Sequence, residues 1–168
     1  MNVKILNVVD RKLIDAIIID GKKLKLPSLQ EGWRFNFSRH AKGKDVYVIV
    51  TKETPDVIEG CLIYKMNMGL EPYMCFIEIA PQNKGINKKY DNVAGCLIAF
   101  ACRLSFIMGE GDYKGYLVFD VQEERQEDEI KLMGMYSVKY HAKRIAKTTM
   151  MIIEPEDGET LIEKYLNN

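Results

Sequence analysis

The sequence predicts a mixed α/β fold of the α+β kind: a mostly antiparallel sheet with helices on both faces. Three observations predict it. Three β-rich runs between residues 46 and 80 are joined by short connections, as in an antiparallel meander. A long helical segment, residues 93–108, is apolar on most of its sides and so must be buried against a sheet. The remaining order is strand, helix, two short strands and a terminal helix, which alternates elements around one sheet. The 168 residues suit one domain of this class, spanning 1–168.

In chain order, the first element is Val3 to Val9, short and apolar. Lys12 to Asp20 carries Leu13, Ile14, Ala16, Ile17, Ile18 and Ile19, and so short a run fits helix or strand equally. Gly21 and Pro27 then punctuate the chain. Trp33, Phe35 and Phe37 alternate with Arg34 and Asn36, the pattern of a half-buried extended piece, with Trp33 expected in the core. The meander strands are Val46–Thr51, Val57–Lys65 and Tyr73–Ala80, the last ending at Pro81. Val93, Leu97, Phe100, Ala101, Leu104 and Met108 recur at helical spacing, and Gly109 stops that helix. Tyr116 to Val121 reads as a strand. Glu127 to Tyr140 reads as a helix with acids at its start and Lys139 and His141 at its close, which suits the helix dipole. Ala142–Ala146 and Thr148–Ile153 read as a hairpin, and Glu159–Leu166 as a final helix.

Composition narrows the function. Lys plus Arg is 24 and Asp plus Glu is 24, and no basic block stands out, so nucleic acid is not expected as a partner. The longest apolar run, Cys96 to Cys102, is too short to span a bilayer, and the start Met1-Asn2-Val3-Lys4 is not a signal peptide, so a cytoplasmic protein without membrane contact is expected. Cys61, Cys75, Cys96 and Cys102 form no CxxC pair and sit among apolar neighbours, as small reduced hydrophobes do. His40 and His141 stand far apart, and no ligand spacing suggests a metal. No GxGxxG follows the first strand, which disfavours a Rossmann nucleotide binder.

The segment most suggestive of chemistry runs from Ile77-Glu78-Ile79-Ala80-Pro81 through a loop bearing Lys84, Lys88 and Lys89 to Asn92-Val93-Ala94-Gly95 at a helix start. The first turn of a helix offers unpaired N–H groups and partial positive charge, and small residues there let a diphosphate approach. Lys89, Asn92 and Ala94 fall on the Q/R-x-x-G-x-G/A acetyl-CoA motif, and over residues 45–153 the chain resembles the GNAT superfamily of N-acetyltransferases. Lys89 keeps a donor at the Gln/Arg place. Asn92 stands at the first glycine place and tolerates left-handed angles. Tyr136 falls on the tyrosine-bearing helix of the family, with Glu129 near the place of its polar residue. Residues 1–45, where the family has substrate-shaping helices, align poorly.

The resemblance implies a splayed central parallel strand pair, Tyr73–Ala80 and Tyr116–Val121, with acetyl-CoA between them. Peptide groups at Ile77 and Ile79 would pair with the pantetheine as a pseudo-strand, and the N–H near Ile79 would polarise the thioester carbonyl. The diphosphate would rest on Val93, Ala94, Gly95 and Cys96, aided by Lys84, Lys89 and Asn92. An amine would attack directly in a ternary complex, with Tyr136 as the acid. Glu78 would be the base, ahead of Glu71, Asp120 or water. The acceptor, a small-molecule or peptide amine, would use a pocket including Trp33 and Phe35. A homodimer remains open. The alternative is a non-catalytic CoA-binding or protein-interaction module on the same fold.

Overall fold

In a computed structural model, residues 1–167 are described. The strands are β1 (Asn2–Asn7), β2 (Lys12–Asp20), β3 (Asp45–Thr51), β4 (Ile58–Asn67), β5 (Glu71–Ile79), β6 (Tyr90–Asp91), β7 (Leu117–Asp120), β8 (Lys143–Arg144) and β9 (Met150–Ile153). The helices are α1 (Phe37–His40), α2 (Val93–Met108), α3 (Gln126–Tyr140) and α4 (Pro155–Leu166). One nine-stranded sheet runs in the order β6-β1-β2-β3-β4-β5-β7-β9-β8. Every pairing is antiparallel except β5 with β7. The meander β3-β4-β5 is the one the sequence predicts.

The two faces of the sheet carry different cores. One holds α2, α3 and α4 in a single apolar cluster that includes Leu62, Leu97, Phe119 and Tyr165. The apolar character of α2 on nearly every side has a simple cause, because the sheet covers one side and α4 the other. The two helices meet where an ideal Cβ on Gly95 would lie 2.4 Å from the Tyr165 ring. On the sheet side, Gly60 admits Val93 and Leu97, whose methyls stand 2.8 and 2.9 Å from its own Cβ position. The opposite face is closed by residues 26–37. Trp33 and Phe37 pack edge-on at 5.9 Å over Val46, Val48 and Ile63. α1 lies on this side, so helices occupy both faces, unevenly.

Residues 1–45 carry no long helix. Lys12–Asp20 is a strand because it finds partners on both sides, β1 and β3, with Ala16 and Ile18 turned into the core. Of the aromatic segment, Trp33 and Phe37 are core residues, and Phe37 opens the four-residue α1 rather than extending a strand. Gly32 at φ 83° and Gly43 at φ 73° interrupt any longer helix. The edge strand β6 lies in the loop before α2 and pairs with β1 at Leu6↔Asp91 and Asn7↔Tyr90. The N-terminal hairpin therefore anchors the entry to α2. No helix among the described residues is long and apolar enough to cross a membrane.

Gly95→Ala drives a methyl into the Tyr165 ring, and overpacking of this kind costs about 1–3 kcal/mol. Urea denaturation of this variant is expected to show that loss. Adding Tyr165→Leu, which vacates the space, is expected to restore most of it.

Candidate functional site

The central parallel pair opens into a fork. β5 and β7 pair only at Tyr73↔Val118 and Met74↔Phe119. Beyond that, β5 runs on to Ile79 bonded to β4 alone. A bulge sits at the opening. Ile63 faces Phe76 and Tyr64 faces Met74, leaving Cys75 without a partner. A bulge bends its strand and strengthens its twist. The Ala80 N–H donates to the Glu59 carbonyl oxygen at 2.9 Å. Alternation along the strand then turns the peptide groups of Ile79 and Ile77 away from β4, into the fork. The fork cleft measures about 460 Å³.

A second pocket, of about 300 Å³, lies where β5 leads toward α2. Asn92 caps α2 in the left-handed region, at φ 67° and ψ 1°. The loop before it is held from below by Asn83, which is buried. Its amide donates to the Glu59 carbonyl oxygen at 3.1 Å and to Glu59 Oε2 at 2.7 Å, and its Oδ1 accepts the Tyr90 N–H at 3.1 Å. Ile79, Lys84, Asn92, Val93, Ala94 and Gly95 all line this pocket, so the structure brings these six predicted residues together. Ile77 and Tyr136 line the fork.

Three expected residues stand elsewhere. Lys89 lies outside the pocket, with its ammonium 4.8 Å from the Tyr90 ring centroid. The cations that line it beside Lys84 are Lys88 and Lys139. Lys139 follows Tyr136 by three residues on α3, a spacing that puts both on one side of the helix and was available in the sequence. The Cys96 N–H is committed to the Asn92 carbonyl oxygen at 2.9 Å, and burial pushes its thiol up to about 12. Cys96 is thus an ordinary core residue of α2 and offers nothing to an anion. The small size of Gly95 serves the Tyr165 contact. Lys88 pairs with Asp91 at 2.6 Å. Burial alone would raise the Asp91 carboxyl, but Lys88 and the Asn92 N–H outweigh it and hold the group below its ordinary value.

Glu78 does not line the fork. Strand parity turns it to the face covered by the N-terminal segment. Its side chain is 5% exposed, and Oε1 lies 2.5 Å from the Lys84 ammonium. Oε1 also accepts the Arg34 N–H at 2.8 Å, and Oε2 the Phe35 N–H at 3.2 Å. The carboxylate is fully engaged away from the cleft. Two other acids face the fork, Asp120 and Glu123. Glu123 receives the Arg34 guanidinium through two bonds of 2.6 Å, a strap across the cleft that sequence reading did not find because the partners are 89 residues apart. Asp120 accepts the Thr149 hydroxyl and the Gln122 amide, both at 2.5 Å, and forms no ion pair among the described residues. Tyr136 packs on Phe119 at 4.8 Å. Burial, with the nearby Glu123 charge, pushes its phenol up to about 12, so it holds its proton at neutral pH.

A third, basic groove of about 720 Å³ adjoins the fork. Lys22, Lys42, Lys44 and Lys65 line it against one acid, Asp45, and Lys44 and Lys65 line the fork as well. Phe35 reaches the fork, whereas Trp33 stays in the core at 7% exposure.

No family model and no curated protein matches the sequence. Solved structures do match in shape. A KacTA–DNA complex is similar with a TM-score of 0.56 and 11% identity, covering 89% of this chain and 99% of the other. The AtaT toxin, as a tyrosine-to-phenylalanine mutant bound to the C-terminus of the antitoxin AtaR, is similar with a TM-score of 0.57 and 11% identity, covering 87% and 97%. A GNAT family acetyltransferase from Elizabethkingia anophelis with acetyl-CoA bound has a TM-score of 0.49 and 10% identity, covering 82% and 94%. The chain shares the fold of the KacTA and AtaT structures, a mixed, mostly antiparallel sheet with one parallel pair and helices on both faces. The expectation that excluded nucleic acid and named a small-molecule or peptide amine as partner is corrected here, since chains of this shape occur in a DNA complex and in a toxin–antitoxin complex. The physical reason is that a net charge of zero is a sum, and it hid the clustering of lysines along one groove.

The raised phenol of Tyr136 has a definite consequence for stability. The folded state holds this proton more tightly than the unfolded chain, so stability is intact below pH 10 and falls as pH rises toward 12. Tyr136→Phe is expected to remove a fall of roughly 2–3 kcal/mol over that window, read as the difference between the two proteins in pH-dependent urea unfolding.

Proposed function

We propose that this chain is an acetyl-CoA-dependent N-acetyltransferase whose acceptor amine is carried by an anionic macromolecule. The observation that carries the proposal is the fork, in which strand pairing stops after Met74 and Phe119. Backbone groups of Ile77 and Ile79 there face a gap in mid-sheet, and such groups require partners. An extended chain bearing amides satisfies them in the manner of an added strand. The pocket at the start of α2 adjoins the β5 end of the gap, with N–H groups at the helix terminus and Lys84, Lys88 and Lys139 around it, which fits a diphosphate.

Acetyl-CoA, when bound, supplies an acetyl group activated as a thioester. The chain contributes the rest. The open N–H groups of β5 donate to amide and acyl oxygens along the fork. Asp120, the fork carboxylate without a cation partner among the described residues, accepts the proton that the acceptor ammonium must lose. Tyr136 keeps its own proton and would donate a hydrogen bond to the departing sulfur, which takes up the second proton that the attacking nitrogen sheds as the amide forms. The lysine-lined groove beside the fork favours an acceptor that brings negative charge.

A CoA-binding or protein-interaction module without turnover is the second reading, favoured by Asn92 in place of glycine at the cap of α2. Thermal unfolding with acetyl-CoA at one hundred times its dissociation constant is expected to show about 2.7 kcal/mol of added stability. Absence of any stabilisation would end the enzyme and CoA-binding readings and leave the protein-interaction module. Release of free thiol in the presence of an acceptor separates them. Tyr136→Phe and Asp120→Asn are each expected to lower kcat by roughly 10²-fold or more, with acetyl-CoA affinity changed less than a few-fold. Unaltered kcat in both would refute the assigned roles.

A further inference from the structure

We propose that Glu78 is a positioning residue that links the pocket at the start of α2 to the loop at residues 33–35 through one shared lysine, so that an anion in the pocket and the Glu78 carboxylate compete for Lys84. The inference rests on the acyl-carrier reading for the identity of the anion. Three observations support it.

Lys84 belongs to two places at once. It lines the pocket beside the α2 N-terminus, and its ammonium lies 2.5 Å from Glu78 Oε1. Its side chain is 43% exposed, so it has room to swing, while Glu78 at 5% does not. Glu78 in turn carries the acceptor-side loop, because its two oxygens accept the N–H groups of Arg34 and Phe35. The loop reaches the fork, where the Arg34 guanidinium closes on Glu123 and Phe35 lines the cleft. One unbroken series of contacts therefore runs from the anion pocket through Lys84, Glu78 and Arg34 to the mouth of the fork.

The energetics make the lysine a point of competition. A buried carboxylate needs its cation and its hydrogen-bond donors, and charge-assisted bonds are about twice as strong as neutral ones. A diphosphate entering the pocket offers Lys84 a second anion of higher charge. As Lys84 turns toward it, Glu78 is left with the peptide N–H groups of Arg34 and Phe35 and must draw on them more heavily. Occupancy of the pocket thereby tightens the loop that walls the acceptor side, which favours an order in which the carrier binds first.

The chain provides its own reporter. Its only tryptophan, Trp33, directly precedes Arg34 and is buried in the core beneath the loop. Titration calorimetry with CoA and with inorganic pyrophosphate, together with Trp33 fluorescence, tests the link in the full chain. Glu78→Gln removes the competing charge and is expected to tighten pyrophosphate binding roughly tenfold, and Lys84→Met to weaken it by a similar factor. In the Lys84→Met background, Glu78→Gln is expected to have less than a twofold effect. Pyrophosphate is expected to shift Trp33 emission in the wild type and not in Lys84→Met. Equal effects of Glu78→Gln in both backgrounds, or weaker binding in Glu78→Gln, would overturn the link while leaving the carrier site standing. If Glu78→Gln fails to fold, the Trp33 signal decides: a shift that persists in Lys84→Met refutes the competition. If neither CoA nor pyrophosphate binds the wild type, the acyl-carrier reading fails and the link falls with it.

Discussion

The rest of the site depends on one failure of pairing. β7 stays with β9, because the Val121 N–H continues the ladder to the Thr149 carbonyl oxygen at 2.9 Å and Asp120 holds the Thr149 hydroxyl. β5 stays with β4 as far as Ile79. Two parallel strands that each follow their outer neighbour, with a bulge at Cys75 adding local twist, must separate. The result is an open row of peptide groups in the middle of a nine-stranded sheet. Edge groups at a sheet's rim are solvated at little cost. Groups inside a cleft lined by Met74, Phe119 and Leu132 are better satisfied by a partner than by water.

Around that gap the molecule distributes charge unevenly. The acids facing it are restrained by Arg34, Thr149 and Gln122, while lysines gather at the α2 pocket and along the groove beside Lys44 and Lys65. Three of the four cysteines take no part. Burial pushes the thiols of Cys61, Cys96 and Cys102 up to about 12, well away from thiolate chemistry at neutral pH.

Much of the fold was legible because it is written in local patterns. The meander shows as β-branched runs between turns, and α2 shows as a helix with no polar side, which only a helix between sheet and α4 needs. The first 45 residues were not legible, since Lys12–Asp20 becomes a strand only through its neighbours β1 and β3. The same divide runs through the site. Asn92, Val93, Ala94 and Gly95 are contiguous and were found together. Lys139, Arg34 and Glu123 reach the site from distant elements, and no spacing in the chain announces Arg34 and Glu123. The sequence places Glu78 on β5, but strand parity, which the sequence leaves undetermined beside a bulge, decides where it points.

The seam between β6 and β1 gives the poorly aligned N-terminal hairpin an unexpected responsibility. Main-chain bonds from residues 6–8 fasten the turn that leads into Asn92, including the Val8 N–H to the Lys89 carbonyl oxygen at 3.0 Å. An asparagine in the left-handed region has fewer comfortable alternatives than glycine, so its geometry is dictated by whatever grips the residues before it. A change in the length of the β1–β2 turn is therefore felt at the far end of this seam, where it would reshape the pocket at the start of α2 without altering any side chain that lines it.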